Sequence, residues 1–407
     1  MKSYFKNNIS FLKKKSFKIG DKSISHRSIL YSLIKNSIIE IKNLLESSDT
    51  LSTINLCKNI GINVYGPINN YLLLCSFKKK INKEKINFLG NSGTTIRLSL
   101  SLIIENNFII GDKSLNKRTM YRIIKPLCLI GYIVQCKKNF FTPITIFKKN
   151  NFGLKYNLVN ASSQIKSCLI LTSINSFLKL YIKEKKKTRD HTERMFFNIK
   201  KKNNFIINIP NDFSSISFII NYLLVKKKIL FLNFNFNKFR IGYFDYLIKC
   251  GINVYFLKKN ICYNEHLVKI IITKLKFKKN VIFSNLISRM IDEIPLLLTF
   301  VINYNKIIKI YGLEELKFKE SNRLLNMYNN LLFLGIRVLI KKNYLILKGG
   351  NFHSNFIFSK TDHRLFMSFY IINNNIIKIS NVENILSSFP NFLSIFNNNK
   401  NKYYAYK

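Results

Sequence analysis

The sequence of 407 residues contains no tryptophan, only six prolines and only 20 acidic residues. Against these stand 67 lysines and arginines, so the formal net charge is +47 at pH 7. A charge of this size is typical of proteins that bind nucleic acid or an anionic surface. The basic residues are spread along the whole chain together with asparagine, isoleucine and phenylalanine, which share AT-rich codons. No compact basic stripe interleaved with aromatic residues occurs, so we predict no specific nucleic-acid partner.

Long apolar runs are also missing, since no run reaches the ~18 residues that a membrane span needs. The first 15 residues lack the apolar core and the cleavage site of a signal peptide. The seven cysteines stand singly with no CxxC pair. We interpret them as buried small hydrophobes in a reducing cytosol rather than as disulfides or metal ligands. The sequence therefore predicts a cytoplasmic protein with no membrane partner and no metal.

The composition is that of a packed globular protein, with 47% hydrophobic residues over a length that suits two or three domains. Six short polar segments each precede an almost wholly apolar run. The segments are 22–27 (KSISHR), 91–95 (NSGTT), 162–164 (SSQ), 212–215 (DFSS), 292–293 (DE) and 361–364 (TDHR). The apolar runs are 28–34, 96–104, 167–174, 216–225, 294–302 and 365–372.

This pattern predicts six buried helices whose starts are polar and mostly charged. Ser, Thr, Asp and Asn cap helix starts because their side-chain oxygens accept the unpaired backbone N–H groups there. A run that is apolar all round indicates a helix buried on every side. Helix N-termini carry partial positive charge, so several that converge would form an anion site. The sequence therefore indicates an enzyme that acts on phosphorylated or carboxylated small molecules.

A second pattern occurs four times: an amphipathic helix ends at a glycine, and two short strands follow. The glycine phrases are GINV at 61–64, GYIV at 131–134, GINV at 251–254 and GIRV at 335–338. The second strands are predicted at 71–77, 141–147, 266–273 and 344–347. Glycine just past a helix end adopts the left-handed conformation that closes the helix. The repetition predicts stacked α/β units, although a glycine in this place is common in any α/β protein.

Nine motifs then occur in one order along the chain. They are GDKSISHR at 20–27, LGNSGTT at 89–95 with Arg97, GDKSL at 111–115 with Arg118, SSQ at 162–164, RDHTE at 189–193, DEIP at 292–295, KESNR at 319–323, DHR at 362–364 and SFP at 388–390. Each motif alone is weak, but the ordered set is specific. From about residue 20 to 393 the chain resembles the 5-enolpyruvylshikimate-3-phosphate synthase family.

The resemblance implies a two-domain, inside-out α/β barrel-like fold. Each domain would contain three βαβαββ units, and the buried helices would point their N-termini at the cleft between the domains. The first domain is expected to span 21–211, and the second to combine 1–20 with 212–407. The chain would cross between the domains near 20–22 and near 210–212.

The implied reaction joins shikimate-3-phosphate and phosphoenolpyruvate. The 5-hydroxyl adds to the central carbon of the enol, the methylene carbon is protonated, and the tetrahedral intermediate expels phosphate. The family uses no metal and no organic cofactor for this chemistry, and its members are usually monomers. The partners that we expect are therefore these two small molecules.

The resemblance also carries site roles onto this sequence. For catalysis it implies Asp292, Glu320 and Lys22. For shikimate-3-phosphate it implies Lys22, Ser23, Arg27, Ser162, Ser163, Gln164, Arg189, Asp292 and Lys319. For phosphoenolpyruvate it implies Lys22, Asn91, Gly93, Arg118, Gln164, Arg323 and Arg364. In these roles Asp292 accepts the 5-hydroxyl proton, and Glu320 with Lys22 delivers a proton to the methylene carbon.

The residue chemistry is suited to these roles. Arginine binds phosphate or carboxylate through two parallel N–H groups, and lysine supplies a compact charge. Ser23 and Arg27 are four apart and would share one helix face. Asp292 and Glu320 are acids in a chain that has few. Taken singly, the same residues also suit helix caps, tight turns and solvated helix faces.

Several positions depart from the family or carry weaker expectations. Thr119 follows Arg118 where the family usually has proline, and Ser387 stands where it often has lysine. We interpret His363 as structural, and His191 and Glu193 as parts of a polar loop.

Three alternatives stay open on the sequence alone. One is the related enolpyruvyl transferase that acts on UDP-N-acetylglucosamine, although its reactive loop cysteine has no clear counterpart here. Another is a basic RNA-binding or RNA-cyclising relative. The third is a weakly active enzyme from a reduced, AT-rich genome.

Overall fold

The computed structural model describes most of the chain between residues 18 and 396. The described residues are 18–77, 85–103, 107–148, 152–158, 162–185, 187–199, 204–225, 230–262, 264–275, 281–282, 284–319, 321–341, 344–351, 353, 356–359, 362–372, 378–380 and 382–396. They fold into two compact units. The first unit comprises Ile19–Pro210 together with Cys262–Glu265. The second comprises the described residues of Asn211–Ile261 and of the chain from His266 onward, with Lys18.

Helices and strands alternate along the described chain. The α-helices are α1 (Lys22–Tyr31), α2 (Ser48–Asn59), α3 (Gly93–Ser99), α4 (Tyr121–Ile130), α5 (Ser163–Ser176), α6 (His191–Ile199), α7 (Phe213–Val225), α8 (Gly242–Lys249), α9 (Ser284–Ile287), α10 (Ile294–Asn303), α11 (Arg323–Phe333), α12 (His363–Ile372) and α13 (Phe392–Phe396). Short 3₁₀ turns occupy Leu100–Leu102, Leu115–Lys117, Lys138–Phe140, Ile291–Glu293, Glu314–Phe318 and Val382–Ser387.

The strands of the first unit form three sheets. They are β1 (Ile38–Lys42), β2 (Asn63–Ile68), β3 (Tyr71–Cys75), β4 (Ile86–Phe88), β5 (Phe108–Ile110), β6 (Tyr132–Lys137), β7 (Phe141–Lys148), β8 (Leu154–Leu158), β9 (Leu180–Glu184) and β10 (Asn204–Asn208). The sheet orders are β10-β1-β3-β2, β4-β5-β7-β6 and β8-β9. Each sheet contains one parallel pair, which is β1 with β10, β4 with β5, or β8 with β9, whereas β3 and β7 run antiparallel to both neighbours.

The second unit repeats this arrangement. Its strands are β11 (Leu230–Asn235), β12 (Ile252–Cys262), β13 (Glu265–Leu275), β14 (Val281–Ile282), β15 (Ile307–Tyr311), β16 (Arg337–Ile340), β17 (Tyr344–Lys348), β18 (Phe356–Ile357) and β19 (Lys378–Ile379). The sheet orders among the described residues are β11-β13-β12, β14-β15-β17-β16 and β18-β19. The sets β4-α3-β5-α4-β6-β7 and β14-α10-β15-α11-β16-β17 share the chain order βαβαββ, with the short helix α9 added between β14 and α10 in the second.

The four glycine phrases all lie where the sequence predicts them. Gly61, Gly131, Gly251 and Gly335 follow α2, α4, α8 and α11 with φ values of 98°, 110°, 95° and 79°. A side chain at these angles would be strained, so glycine is the residue that ends each helix here. Two strands follow each glycine, which confirms the predicted helix, glycine, strand, turn, strand order.

All six predicted buried helices are present as α1, α3, α5, α7, α10 and α12. The clearest case is α10, in which every residue from Ile294 to Ile302 is buried. The strands show the complementary period of two: in β3, Leu72 and Leu74 are fully buried while Tyr71 is exposed. Each such buried side chain contributes about 1.5–3 kcal/mol relative to exposure, so these helices and inner strand faces form the cores.

The first helix starts at Lys22, so the polar segment 22–27 forms its start, as the sequence predicts. One expectation, that of buried cysteines, needs correction. Only Cys57, Cys168 and Cys250 are buried, whereas Cys128 is exposed on the solvent side of α4. The described residues contain no helix long and apolar enough to cross a membrane.

Candidate active site

Lys22 is held at the start of α1 by an acidic partner from α2. Asp21 caps this helix, since its Oδ1 accepts a hydrogen bond from the backbone N of Ile24 at 3.0 Å. The Nζ atom of Lys22 lies 2.5 Å from Oδ2 of Asp49, and the two side chains are 19% and 11% exposed. Asp49 therefore fixes the ammonium group at an accessible position. The sequence did not single out Asp49, although an acid in the first turn of a helix was a usable signal.

Arg27 joins three helices of the first unit. It is 3% exposed, and it donates from Nε to Oγ1 of Thr192 at 2.7 Å. It also donates from Nη2 to Oγ of Ser167 at 2.7 Å and from Nη1 to the carbonyl of Ser23 at 2.8 Å. Ser23 and Arg27 both lie in α1, four residues apart, although this last contact is with the backbone of Ser23 and not with its side chain. Arg27 thus fixes α1 against α5 and α6, a role that the sequence did not predict.

Asn91, Gly93 and Arg118 come together at the start of α3. Nη2 of Arg118 donates to Oδ1 of Asn91 and, at 3.0 Å, to Oγ of Ser114. A Cβ atom on Gly93 would lie 3.3 Å from Nη1 of Arg118, so glycine permits the close approach of the guanidinium to the helix start. The three predicted residues therefore form one cluster of a cation, an amide and open backbone.

Thr119 strengthens the loop after Arg118. Its hydroxyl donates to the carbonyl of Asn139 at 2.9 Å and accepts from the backbone N of Tyr121 at 3.3 Å. These two hydrogen bonds tie the loop to a neighbouring turn and to the start of α4. The residue that replaces the usual proline thus supplies a tether of its own.

The Ser162–Gln164 segment opens α5 beside α3. Ser162 occupies the N-cap position but its side chain makes no capping hydrogen bond. Gln164 accepts at Oε1 from Nη1 of Arg97 at 2.9 Å and donates from Nε2 to Oγ1 of Thr94 at 3.2 Å. Gln164 therefore connects the two helix starts, and Arg97 is a cation of this region to which the resemblance had assigned no role.

A buried chain of hydroxyl groups connects the same helices from behind. Nδ1 of His26 lies 2.7 Å from Oγ1 of Thr53, which lies 2.7 Å from Oγ1 of Thr95. Oγ1 of Thr95 lies 2.6 Å from Oγ of Ser92, the N-cap of α3. Burial, together with the charges of Lys22 and Arg27, lowers the pKa of His26 well below its usual value. His26 is therefore a neutral structural link between α1, α2 and α3.

Arg189 lies in the last residues before α6, and here one interpretation was wrong. His191 and Glu193 belong to the first turn of α6 and not to a loop. The helix forms because Met195 and Phe196, four residues after His191 and Thr192, are buried with them on one face. Nδ1 of His191 lies 2.6 Å from Oε1 of Glu265. Burial would raise the pKa of Glu265, but His191 and Arg194 hold it below its usual value.

Asp292 lies in the second unit between two cations. It occupies a 3₁₀ turn directly before α10, and its side chain is 18% exposed. Its Oδ1 atom lies 3.5 Å from Nζ of Lys319 and 3.8 Å from Nη1 of Arg323. The structure therefore brings three of the predicted residues together around one accessible carboxylate. Glu320, the fourth, lies outside the described residues.

Arg323 is a deeply buried arginine at the start of α11. It is 1% exposed and makes two hydrogen bonds to Asp362, from Nε to Oδ2 at 2.8 Å and from Nη2 to Oδ1 at 3.2 Å. Asp362 also caps α12 through the backbone N atoms of Arg364 and Leu365. This bidentate pair fixes the start of α11 against the start of α12.

Arg364 is held near a second buried acid. Its guanidinium carbon lies 5.9 Å from the centre of the Phe218 ring, in a cation–π contact with α7. Burial would raise the pKa of Asp212, but Arg240 and Arg364 lower it below its usual value. Asp212 also caps α7 through the backbone N of Ser215 at 2.9 Å. Three further residues therefore support the helix starts of this unit: Asp212, Asp362 and Arg240. The sequence pattern indicated the two acids only as helix caps and gave no signal for Arg240.

His363 contacts the serine that replaces the usual lysine. Its Nδ1 atom lies 3.1 Å from Oγ of Ser387, which donates to the carbonyl of Asn384 at 2.8 Å. His363 is 5% exposed, so the structural interpretation suits its environment. Among the described residues no group of three or more His, Cys, Asp or Glu side chains could hold a metal ion.

The chain is similar to known proteins over nearly its whole length. A family model described as EPSP synthase (3-phosphoshikimate 1-carboxyvinyltransferase) matches residues 14–396. The chain belongs to the EPSP synthase family. Relatives named 3-phosphoshikimate 1-carboxyvinyltransferase from Thermoanaerobacter sp. strain X514 and Ruthia magnifica are 32% and 33% identical, and each alignment covers 93% of this chain and 95% or 93% of the relative. The relative of that name from Clostridium tetani is 34% identical, with 94% of each chain covered.

Solved structures of the EPSP synthase family show the same fold. An EPSP synthase from Acinetobacter baumannii at 2.37 Å resolution superposes with a TM-score of 0.78 at 27% identity. The alignment covers 93% of this chain and 94% of that one. The two-domain α/β fold expected from the EPSP synthase resemblance is therefore confirmed.

Proposed function

We propose that the chain transfers the enolpyruvyl group of phosphoenolpyruvate to the 5-hydroxyl of shikimate-3-phosphate and releases phosphate, a step of the shikimate pathway. The observation that carries this conclusion is the family match over residues 14–396. The 5-hydroxyl loses its proton as its oxygen bonds to the central enol carbon, and the methylene carbon gains a proton. The tetrahedral adduct then loses phosphate and a proton from the new methyl group, which restores the double bond.

The first unit supplies cations and open helix starts for anionic groups. In this proposal Lys22, Ser23, Arg27, Ser162, Ser163, Gln164 and Arg189 bind shikimate-3-phosphate, and Lys22, Asn91, Gly93, Arg118 and Gln164 bind phosphoenolpyruvate. The cluster of Arg118, Asn91 and Gly93 supports the second role, because a guanidinium beside a helix N-terminus favours phosphate. The hydroxyl of Ser162, which makes no capping bond, supports the first.

Asp292 is the proposed base for the 5-hydroxyl proton. Its carboxylate is accessible, and Lys319 and Arg323 lie within 4 Å of it. Two cations favour the ionised carboxylate, which is the form that accepts a proton. Lys319 would also contact shikimate-3-phosphate, and Arg323 and Arg364 would contact phosphoenolpyruvate. Glu320 with Lys22 would supply the proton for the methylene carbon.

The test is phosphate release by the purified protein. We expect release that needs both substrates and falls by about 10²-fold in Asp292→Ala. Asp245→Asn is a matched control, because Asp245 also pairs with a basic residue of the same unit but is 28% exposed. Release with UDP-N-acetylglucosamine in place of shikimate-3-phosphate would favour the related transferase instead. A folded protein that releases no phosphate with either acceptor would contradict the proposal.

The remaining expectations belong to the same proposal. A monomeric state rests on the family resemblance, and a cytoplasmic location rests on the cysteines, which stand singly in the sequence. We also propose the domain boundaries that the resemblance implies, with residues 21–211 in one domain and residues 1–20 and 212–407 in the other.

A further inference from the structure

Lys166 is a buried lysine on α5 that no step above uses. It is 6% exposed, and no other lysine whose side chain the structure describes is as deeply buried. Its Nζ atom lies 2.7 Å from Oε1 of Glu184 on β9 and 2.7 Å from Oε1 of Glu193 on α6. One ammonium group thus joins three elements of the first unit.

Thr188, the residue before Arg189, is held entirely by this cluster. Its backbone N donates to Oε2 of Glu184 at 2.9 Å, and its hydroxyl donates to the same oxygen at 3.2 Å. Its carbonyl accepts from Nζ of Lys166 at 3.4 Å. The backbone N–H, the carbonyl and the hydroxyl of Thr188 therefore each form a hydrogen bond with Lys166 or Glu184.

The chain after Arg189 is fixed to the same lysine. Glu193 lies in the first turn of α6, so its contact with Lys166 sets the position of that helix start. Arg189 accordingly lies between two segments that Lys166 holds on either side. A small shift of the backbone on either side of Arg189 would move the tip of its long side chain. A misplacement of about 1 Å can lower the rate of an enzyme by about 10²-fold.

The energetics favour a role in placement over a role in stability. Desolvation of a buried ion pair offsets most of its Coulomb attraction, and apolar residues of similar volume often stabilise a fold better. An ion cluster that fixes all the polar groups of one loop residue has a geometric effect that apolar packing lacks. Rigid support of this kind is what a binding side chain needs.

We propose that Lys166 is a positioning residue for shikimate-3-phosphate: with Glu184 it sets the loop that carries Arg189, and Arg189 makes the contact. This rests on the proposed function, in which Arg189 binds shikimate-3-phosphate. Lys166 touches no substrate group in this arrangement. Its removal should therefore change one substrate's binding and leave the other's unchanged.

The experiment measures the KM for each substrate and the affinity for shikimate-3-phosphate by calorimetry, with the full chain. Lys166→Met should raise both the KM and the dissociation constant for shikimate-3-phosphate by about tenfold, with the KM for phosphoenolpyruvate changed less than about twofold. Glu184→Gln keeps the shape of the side chain and serves if Lys166→Met does not fold. It should act in the same direction by about three- to tenfold. Lys125→Met, an exposed lysine on α4 over the Tyr121 ring, is the matched control.

A double-mutant cycle separates positioning from general stability. If Lys166 acts through Arg189, the affinity of Lys166→Met/Arg189→Ala should be close to that of Arg189→Ala alone. Losses that multiply would overturn the inference and leave the proposed contact of Arg189 intact. Equal rises in both KM values would also overturn it. An unchanged affinity in Arg189→Ala would instead refute that contact, and the inference with it.

Discussion

Lys22 and Asp49 link the starts of α1 and α2, with Nζ and Oδ2 2.5 Å apart. Lys22 projects from the first residue of its helix, where backbone geometry alone leaves a long side chain free to rotate. The carboxylate removes this freedom and keeps a positive charge at one place. A lysine that is to deliver a proton needs such an orientation before substrate arrives.

We expect Lys22→Met to lower kcat by about 10²-fold and Asp49→Asn to lower kcat/KM by about tenfold, because the second change misplaces the ammonium group without removing it. Steady-state assays of phosphate release check both values. Glu40→Gln is the control, since Glu40 pairs with Lys42 at 2.9 Å on the exposed face of β1. A loss in Asp49→Asn no larger than that in Glu40→Gln would show that the ion pair has no part in catalysis.

The Asp362–Arg323 pair should contribute strongly to stability. Both side chains are almost fully buried, so Asp362→Asn removes the carboxylate that accepts two hydrogen bonds from the buried guanidinium and leaves it with the more distant Asp292, 3.8 Å away. We expect the free energy of unfolding to fall by about 3 kcal/mol, measured by urea denaturation. Asn still caps helices well, so little of this loss comes from the start of α12. Asp245→Asn breaks a half-exposed pair with Arg289 and should cost less than about 1 kcal/mol. Equal losses in the two variants would contradict this account.

His26 should make the stability depend on pH below neutrality. Its pKa in the folded protein is lowered from the usual 6.5, chiefly by burial. The unfolded chain therefore binds a proton near pH 6.5 that the folded chain does not, and this favours unfolding as the pH falls. The contribution of neutral His26 is complete above pH 6.5 and declines by about 1.4 kcal/mol per pH unit below it, until the folded form is protonated.

Urea denaturation midpoints, measured between pH 7.5 and pH 5, give the slope that describes the change of the unfolding free energy with pH. His26→Asn, which can keep a hydrogen bond to Thr53, should flatten it. His353→Asn, which changes an exposed histidine, is the control. A slope that is the same in His26→Asn and in the parent protein would assign the pH dependence to other groups.

The sequence correctly predicted the helices and helix ends that depend on residues close together along the chain. The apolar run of α10 and the left-handed Gly131 after α4 depend on residues within a few positions of each other, so pattern and propensity suffice. The resemblance named Asp292, Lys319 and Arg323 as site residues, but that the two cations lie beside Asp292 was seen only in the structure. The start of α6 was missed because its polar first turn, from His191 to Arg194, hides a helix whose apolar face appears only at Met195 and Phe196.

The supporting contacts could not be read from the sequence, because they join residues that are far apart along the chain. Arg27 meets Thr192, which is 165 positions away, and Arg323 meets Asp362, which is 39 positions away. No local pattern distinguishes these buried arginines from the many exposed basic residues. Only the packing of α1 against α6, and of α11 against α12, places a hydroxyl or a carboxylate within hydrogen-bond distance.

The charge of +47 should affect the rate at which substrates arrive. Phosphoenolpyruvate and shikimate-3-phosphate are both anions, and a basic protein attracts anions from a distance before any contact forms. Salt screens this attraction, with a Debye length of about 10 Å at 0.1 M.

We therefore expect kcat/KM for each substrate to fall by about tenfold between 0.05 and 0.5 M potassium chloride, while kcat changes by less than about twofold. Potassium acetate at equal ionic strength should give the same curve, because screening depends on ionic strength and not on the identity of the anion. A curve that differs between the two salts would indicate competition by chloride at the arginines of the site, and a flat curve would show that the excess charge has no part in substrate capture.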